Sequence, residues 1–271
     1  MIRSSLALGT LAVALLSAAH ATSTADTTLS DFHITLTDLD AADGIAPSLA
    51  FDPSSRSAAT AAAVAFGGSL FWQQLGASPF GPVSSSGAMH GIGGSASFAG
   101  DPFGAGATLS AHGEAVPGLA DGIGEDYVNT QTDGLTSISS FVLSPQTQVS
   151  FTGLESLAWN ASDPRAAAYG EVQLLLFQWL DGEQTSISMD DFLDGWGAGA
   201  NAAQIGSESR KVSVTFANAT DAAVTVDYGV LVSARASEVD VPPTPMDEPG
   251  SAWLLLAGAL PLAWRARRRI N

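Results

Sequence analysis

Cysteine is absent from all 271 residues of the chain. Its absence excludes disulfides, thiolate metal sites, cysteine nucleophiles and a lipid-modified N-terminal cysteine. Basic residues are scarce too, because ten Lys and Arg stand against 27 Asp and Glu, a formal net charge of −17. So acidic a chain is repelled by nucleic acid and by anionic lipid headgroups. Stability must come from strand pairing and core burial alone.

Recognisable catalytic motifs are missing as well. The sequence contains no Gly-x-Ser-x-Gly elbow, no HExxH motif and no phosphate-binding loop. His33, His90 and His112 have no spacing typical of zinc ligands. With 27 acidic residues, some pair meets the separation needed for glycoside hydrolysis by chance. We therefore predict a protein that is not an enzyme, with a hydrolase as an alternative.

The N-terminus has the form of a secretory signal peptide. Arg3 supplies positive charge, residues 6–16 are apolar, and residues 19–21 fit a small-x-small cleavage site. Cleavage is expected between Ala21 and Thr22. Residues 1–21 are therefore predicted to be a helical export signal that the mature protein has lost.

The C-terminus combines three parts in a fixed order. A short polar motif comes first, an apolar segment follows over residues 251–264, and a cluster of arginines comes last. The motif consists of Asp247, Glu248, Pro249 and Gly250, and the cluster of Arg265, Arg267, Arg268 and Arg269. As a helix the apolar segment reaches about 21 Å, less than the hydrocarbon core of about 30 Å. Because flanking arginines stay cytoplasmic, this arrangement favours a temporary tether for a body held on the outer face of the membrane.

This tail resembles the PEP-CTERM sorting signal of Gram-negative bacteria. The match comprises Glu248, Pro249 and Gly250, the apolar segment and the arginine cluster, and Asp247 stands where the family has its first proline. The resemblance implies processing by exosortase, a membrane protease, and a link to biofilm and exopolysaccharide. It implies a secreted, non-enzymatic surface or matrix protein that is tethered transiently before it reaches the cell surface or the medium. A plain membrane anchor on a periplasmic protein is the alternative.

Between the two ends, we expect one all-β domain over residues 22–237, an antiparallel β-sandwich of jelly-roll type. Many short alternating segments, without heptads or a βαβ rhythm, favour this class. A proline-rich linker is expected over 238–246, and the sorting signal with its short helix over 247–271. The closing strands of the domain also resemble the body domains that precede PEP-CTERM tails.

Period-two alternation of apolar residues places individual strands. It predicts them at residues 32–37, 136–143, 146–153 and 172–180. Residues 212–216 and 224–232 are predicted to form a hairpin with a five-residue connection. Residues 58–73 are ambiguous, because their alanine run favours a helix, but residues 63–72 favour one strand with a glycine bulge. The glycine-rich stretch 67–124 favours short strands with loops, with a flexible linker as the alternative.

Calcium is the one cofactor that the sequence supports. Asp190, Asp191 and Asp194 are predicted to lie in an acidic loop able to supply hard oxygen ligands. Residues 38–43 and 121–126 are weaker candidates of the same kind. Aspartate and glycine are also ordinary turn residues, so a solvated turn without a metal is the alternative.

A carbohydrate-binding sandwich module is the second functional hypothesis. It predicts a flat face of exposed aromatic side chains, for which the candidates are Trp72, Trp159, Trp179 and Trp196. Packing of these residues in the core is the competing expectation, since large aromatic side chains usually bury in a sandwich.

Overall fold

Every regular element among the described residues is a β-strand. The computed structural model describes residues 22–65, 68–116, 122–131, 138–161, 166–180, 183–196 and 204–238. The strands are β1 (Ser23–Asp38), β2 (Leu49–Phe51), β3 (Arg56–Ala65), β4 (Gly68–Leu75), β5 (Val83–Met89), β6 (Ile92–Asp101), β7 (Gly106–Ala115), β8 (Gly122–Gln131), β9 (Ser139–Leu143), β10 (Thr147–Ala161), β11 (Ala167–Leu180), β12 (Glu183–Trp196), β13 (Gln204–Asn218) and β14 (Val224–Glu238). The all-β prediction is confirmed. The predicted signal and C-terminal helices lie outside these ranges.

The strands form two antiparallel sheets packed as a sandwich. The six-stranded sheet has the order β13-β10-β1-β7-β6-β5, and the main path of the eight-stranded sheet is β12-β11-β14-β8-β3-β4. β8 and β9 pair with the same edge of β14, one after the other, and β2 pairs with β9. No helix in the described part of the chain is long and apolar enough to cross a membrane.

Strand alternation places the core between the sheets. On β14 every second residue from Val226 to Ala236 is completely buried. On β1, Phe32 and Ile34 point inward as predicted, while His33 and Thr35 point outward. Apolar burial stabilises by about 25 cal/mol per Å², so these inner faces hold the two sheets together.

An aromatic cluster from both sheets fills the centre of the core. Its members are Phe32, Phe51, Phe80, Phe141, Phe151 and Tyr228. Neighbouring ring centroids are separated by 5.5 Å (Phe141 and Tyr228) to 6.5 Å (Phe141 and Phe151). Burial raises the pKa of the Tyr228 hydroxyl, which therefore stays protonated. This aromatic cluster stabilises the sandwich, which contains no disulfides.

The predicted hairpin of residues 212–216 and 224–232 is wrong. Both segments are strands, but β13 pairs with β10 and β14 pairs with β8, β9 and β11, so the connection crosses from one sheet to the other. The buried Asn218 amide fixes this crossing, because its Nδ2 donates to the carbonyls of Ser144 (2.9 Å) and Ala222 (2.8 Å). The inward residues of the two strands consequently face each other across the core.

The single bulged strand predicted over residues 63–72 is also wrong. The chain forms β3 and β4 there, paired from Ala58 with Leu75 to Ala65 with Gly68. The expectation of short strands in the glycine-rich stretch is confirmed by β5, β6 and β7. The predicted strand at 172–180 is part of β11, which is paired on both sides.

The edge strands β12 and β13 close one side of the sandwich. The Thr215 backbone N–H of β13 donates to Ser188 Oγ of β12 at 3.1 Å. Arg210 of β13 donates to the Asp190 side chain and, at 3.2 Å, to the Asp191 carbonyl on β12. At the opposite side the edge strands are β4 and β5.

Candidate functional site

The residues predicted for sorting lie outside the described part of the chain. This applies to Asp247, Glu248, Pro249 and Gly250 of the motif, to Arg265, Arg267, Arg268 and Arg269 of the cluster, and to Ala21 at the predicted signal cleavage site. Thr22, the predicted first residue of the mature protein, directly precedes β1. Processing at either end therefore remains a prediction.

Asp190, Asp191 and Asp194 lie on strand β12 rather than in the predicted loop. Pairing with β11 sets them opposite Leu174, Gln173 and Gly170, so Asp190 and Asp194 share one face and Asp191 has the other. Asp190 is bonded to Arg210, and Asp194 accepts a hydrogen bond from the Gly195 N–H at 2.6 Å. The three carboxylates do not converge, and among the described residues no group of three or more His, Asp or Glu is placed to hold a metal ion.

The acidic segment after β1 caps its own turn. Asp38 accepts from the Asp40 N–H and Asp40 from the Ala42 N–H, both at 3.0 Å, and Asp43 from the Ile45 N–H at 2.6 Å. These contacts are the ordinary turn chemistry of aspartate. The side chains of the third acidic segment, residues 121–126, lie outside the description.

The three histidines outside the signal segment lie far apart in the fold. His33 is near Asp31, with 3.0 Å between Nε2 and Oδ1, and His90 occupies the turn between β5 and β6 with a φ of 52°. His112 of β7 contacts Asp26 of β1, with 2.7 Å between Nδ1 and Oδ1. That pair is on the open outer face of the six-stranded sheet, where a carboxylate orients an imidazole without an enclosing cleft.

The tryptophans do not share one environment. Trp72 of β4 is 57% exposed. Trp159 of β10 is partly buried and packs against the core, and its ring lies over Gly206 of β13. The side chains of Trp179 and Trp196 are not among those that the structure describes. Of the two candidate tryptophans whose side chains the structure describes, Trp72 is exposed and Trp159 packs against the core.

The exposed Trp72 borders a shallow groove at the side of the sandwich formed by edge strands β4 and β5. We call it the Trp72 groove; its lining residues are Trp72, Gln74, Ser84, Ser85, Ser86, Ser95, Ala96 and Ser97. None of these residues carries a charge, although the chain as a whole has a net charge of −17. The groove offers one apolar ring face beside hydroxyl and amide groups.

The hydroxyls of the groove continue across the outer face of the six-stranded sheet. Strand register aligns one hydroxyl residue from each strand in a single row, which we call the hydroxyl row: Ser84, Ser97, Ser110, Thr28, Ser156 and Ser209. Ser97 Oγ and Ser110 Oγ are 2.8 Å apart. With adjacent strands about 4.8 Å apart, the row is about 24 Å long.

A second polar cluster lies within the closed side of the sandwich. Glu155 of β10 is fully buried, and its Oε2 accepts a hydrogen bond from Arg210 Nε at 2.9 Å. Arg210 also bonds Asp190 and stacks on Phe192, with its guanidinium carbon 4.4 Å from the ring centroid. Glu155 Oε1 has no hydrogen-bond partner among the described residues. Burial raises the pKa of Glu155 from 4.5 to about 7, although the Arg210 hydrogen bond lowers it.

These two clusters differ in what they can do chemically. The Glu155 carboxylate is enclosed by the protein. It therefore affects the stability of the fold and is not accessible to a ligand. The Trp72 groove is open and uncharged, so it is accessible to a ligand that stacks and forms hydrogen bonds.

Comparison of the chain with protein-family models, with curated proteins and with solved structures found no match.

Sequence reasoning missed both the Arg210 cluster and the serine lining of the groove. The sequence did contain a signal for Glu155. This residue is an even number of positions from Phe151 and Leu157 on the same strand, so its side chain points inward as theirs do. The groove had no comparable signal. Its serines come from β5 and β6, and they meet Trp72 only because β4 and β5 are edge strands on the same side of the sandwich.

Proposed function

We propose that the protein is an exported, non-enzymatic surface or matrix protein, sorted through its C-terminal PEP-CTERM-like signal. The observation that carries the proposal is the ordered sequence of polar motif, short apolar segment and arginine cluster at one end, with a segment of signal-peptide form at the other. Its partners would be an exosortase-type membrane protease, the inner membrane through the apolar segment, and exopolysaccharide outside the cell.

The described body is suited to such a route. A cysteine-free β-sandwich with a central aromatic cluster needs no oxidative folding after export. The chain crosses between the two sheets repeatedly, for example between β9 and β10 and between β13 and β14. These crossings favour the jelly-roll-like arrangement that we expected from the sequence.

Mass spectrometry of the exported protein tests the proposal. The full chain is expressed in a Gram-negative host that carries an exosortase and in the same host without it. With the enzyme, we expect an N-terminus at Thr22 and a C-terminus near residues 247–250. The Pro249→Ala variant should keep its tail, whereas the matched control Pro242→Ala, in the linker upstream, should be processed normally.

Two outcomes would count against this sorting route. An intact mass ending at Asn271 in both hosts, with the protein in the membrane fraction, would favour the plain membrane anchor. Retention of the first 21 residues would reject export by the signal peptide.

A carbohydrate-binding module is the second candidate, because Trp72 is exposed beside serine hydroxyls. The two functions are compatible, since a matrix protein outside the cell meets polysaccharide. The flat platform of several tryptophans is not required for this candidate if one indole and a row of hydroxyls share the contact.

A further inference from the structure

We propose that the Trp72 groove, together with the adjoining part of the hydroxyl row, binds an uncharged polysaccharide. The inference deepens the proposed function. It rests on that function only for the expectation that an exported protein meets the glycan outside the cell. The binding surface itself follows from the geometry of the edge strands β4 and β5.

The indole of Trp72 supplies the apolar part of the contact. β4 pairs Leu70, Trp72 and Gln74 with Ala63, Ala61 and Ala59 of β3. Because Ala63 and Leu70 pack with Ile92 of β6, this face of β4 points toward the other sheet. Leu70 packs against a small apolar cluster, but Trp72 remains 57% exposed. A large indole at the open side of a sandwich carries an apolar face and one N–H donor, which matches a sugar ring with C–H groups on its face and hydroxyls at its edge.

Serine hydroxyls supply the polar part. Ser84 and Ser86 of β5 and Ser95 of β6 are exposed beside the indole, and Ser97 joins them to Ser110 of the next strand. A hydroxyl both donates and accepts, so such a row can exchange hydrogen bonds with a chain of sugar hydroxyls without a fixed polarity. Ligand sites of this kind combine aromatic surface with a few polar groups that fix orientation.

Charge decides which class of polymer fits. The groove lining is uncharged, and the carboxylates elsewhere bring the net charge to −17. An anionic polysaccharide or a nucleic acid would therefore be repelled over a distance of about 10 Å at 0.1 M salt without a local cation to compensate. A neutral glycan meets no such barrier.

The chain itself offers a matched control. Phe71 and Trp72 are neighbours on β4 with similar exposure, 62% and 57%, but successive strand residues point to opposite faces. Only Trp72 lines the groove. Removal of either ring deletes a comparable exposed aromatic surface, so a difference in binding reports the groove and not general stickiness.

The test is isothermal titration of the exported protein with soluble neutral polysaccharides, namely a β-glucan, a mannan, a galactan and a dextran, with alginate as the anionic comparison. At least one neutral polymer should bind, and alginate should bind at least tenfold more weakly. Trp72→Ala should weaken the neutral ligand at least tenfold, and Trp72→Phe less. The triple variant Ser84→Ala, Ser86→Ala, Ser95→Ala should weaken it severalfold, and Phe71→Ala should stay within twofold of the parent. Circular dichroism and thermal melting check that every variant is folded.

Three results would overturn the inference. In the first, none of the four neutral polymers binds at millimolar sugar concentration. In the second, Trp72→Ala and Phe71→Ala bind alike. In the third, the protein is a dimer without glycan and Trp72→Ala makes it monomeric, which would assign the groove to a second copy of the chain. None of these results affects the mass measurement of tail processing, so the two proposals fail separately.

Discussion

Replacement of Glu155 by glutamine should make the sandwich less sensitive to pH. Glu155 is fully buried, and burial raises its pKa from 4.5 to about 7 although Arg210 donates to it and lowers the pKa; the charges of Asp190 and Asp191 raise the pKa further. The folded state therefore binds the proton more tightly than the unfolded chain. By linkage, the stability that Glu155 contributes is complete below about pH 4.5 and is lost as the pH rises through about 7.

The size of the effect follows from the pKa. One pKa unit corresponds to about 1.4 kcal/mol, so a rise from 4.5 to about 7 amounts to about 3 kcal/mol. A glutamine resembles the protonated acid and has no charge to lose. We expect Glu155→Gln to be close to the parent in unfolding free energy at pH 5. At pH 8 the variant should be more stable by about 2 to 3 kcal/mol.

Urea unfolding followed by circular dichroism at pH 5, 6, 7 and 8 measures this difference. Urea is preferable to guanidinium because the latter is a salt and screens the ion pairs under study. The other carboxylates titrate in both proteins, so only the difference between variant and parent is interpreted. Glu208→Gln is the control, because Glu208 is an exposed carboxylate on β13, two residues from Arg210.

The reasoning is refuted if the stability difference between Glu155→Gln and the parent does not change with pH. If this difference changed by less than about 0.5 kcal/mol between pH 5 and pH 8, hydrogen bonds from water or from the chain would stabilise the charged carboxylate better than its burial indicates. An equal change in Glu208→Gln would show that the effect is one of net charge and not of the buried site.

Two further substitutions test the packing of the same region. Arg210→Met leaves the buried Glu155 and its neighbour Asp190 without their cation, so we expect a loss of about 3 kcal/mol at pH 8 and a smaller loss at pH 5 in the same urea assay; equal losses would contradict this. Gly206→Ala should cost about 1 to 3 kcal/mol, because a Cβ there would overlap Cζ2 of the Trp159 ring and push the indole aside. A tryptophan emission spectrum and stability identical to the parent's would disprove that contact.

Much of the fold followed from local patterns. Period-two alternation at residues 32–37 and the apolar run at 172–180 were sufficient to predict strands, because the side-chain period of a strand is independent of its partner. The all-β class followed from many such segments together. The same logic explains why the glycine-rich stretch, with its recurring large apolar residues, forms strands β5 to β7.

Pairing could not be predicted in the same way. Alternation in 212–216 and 224–232 says which side chains point inward, but not which strand lies alongside. Adjacent segments with a short connection usually form a hairpin, yet the amide of Asn218 bridges two connections, and the strands join different sheets. Two strands that face each other across the core and two strands that lie side by side in one sheet show the same alternation of inward apolar residues.

The acidic residues of β12 show a similar limit. Asp190, Asp191 and Asp194 have the composition of a loop, but pairing with β11 over the whole segment keeps them in a strand. Tertiary pairing overrides weak local preference in strands. A cation partner for Asp190, Arg210, is 20 residues away along the chain, and no local pattern connects the two.

By itself the sequence determined the charge of this protein, its lack of disulfides, its strand-forming segments and the features of its two ends, because each of these depends on residue identity or on neighbours within one segment. Only the tertiary structure decided that an indole on β4 meets serines of β5 and β6, and that a glutamate of β10 is buried against an arginine of β13. Such contacts join residues that are distant along the chain, and their positions depend on which strands become edges of the two sheets.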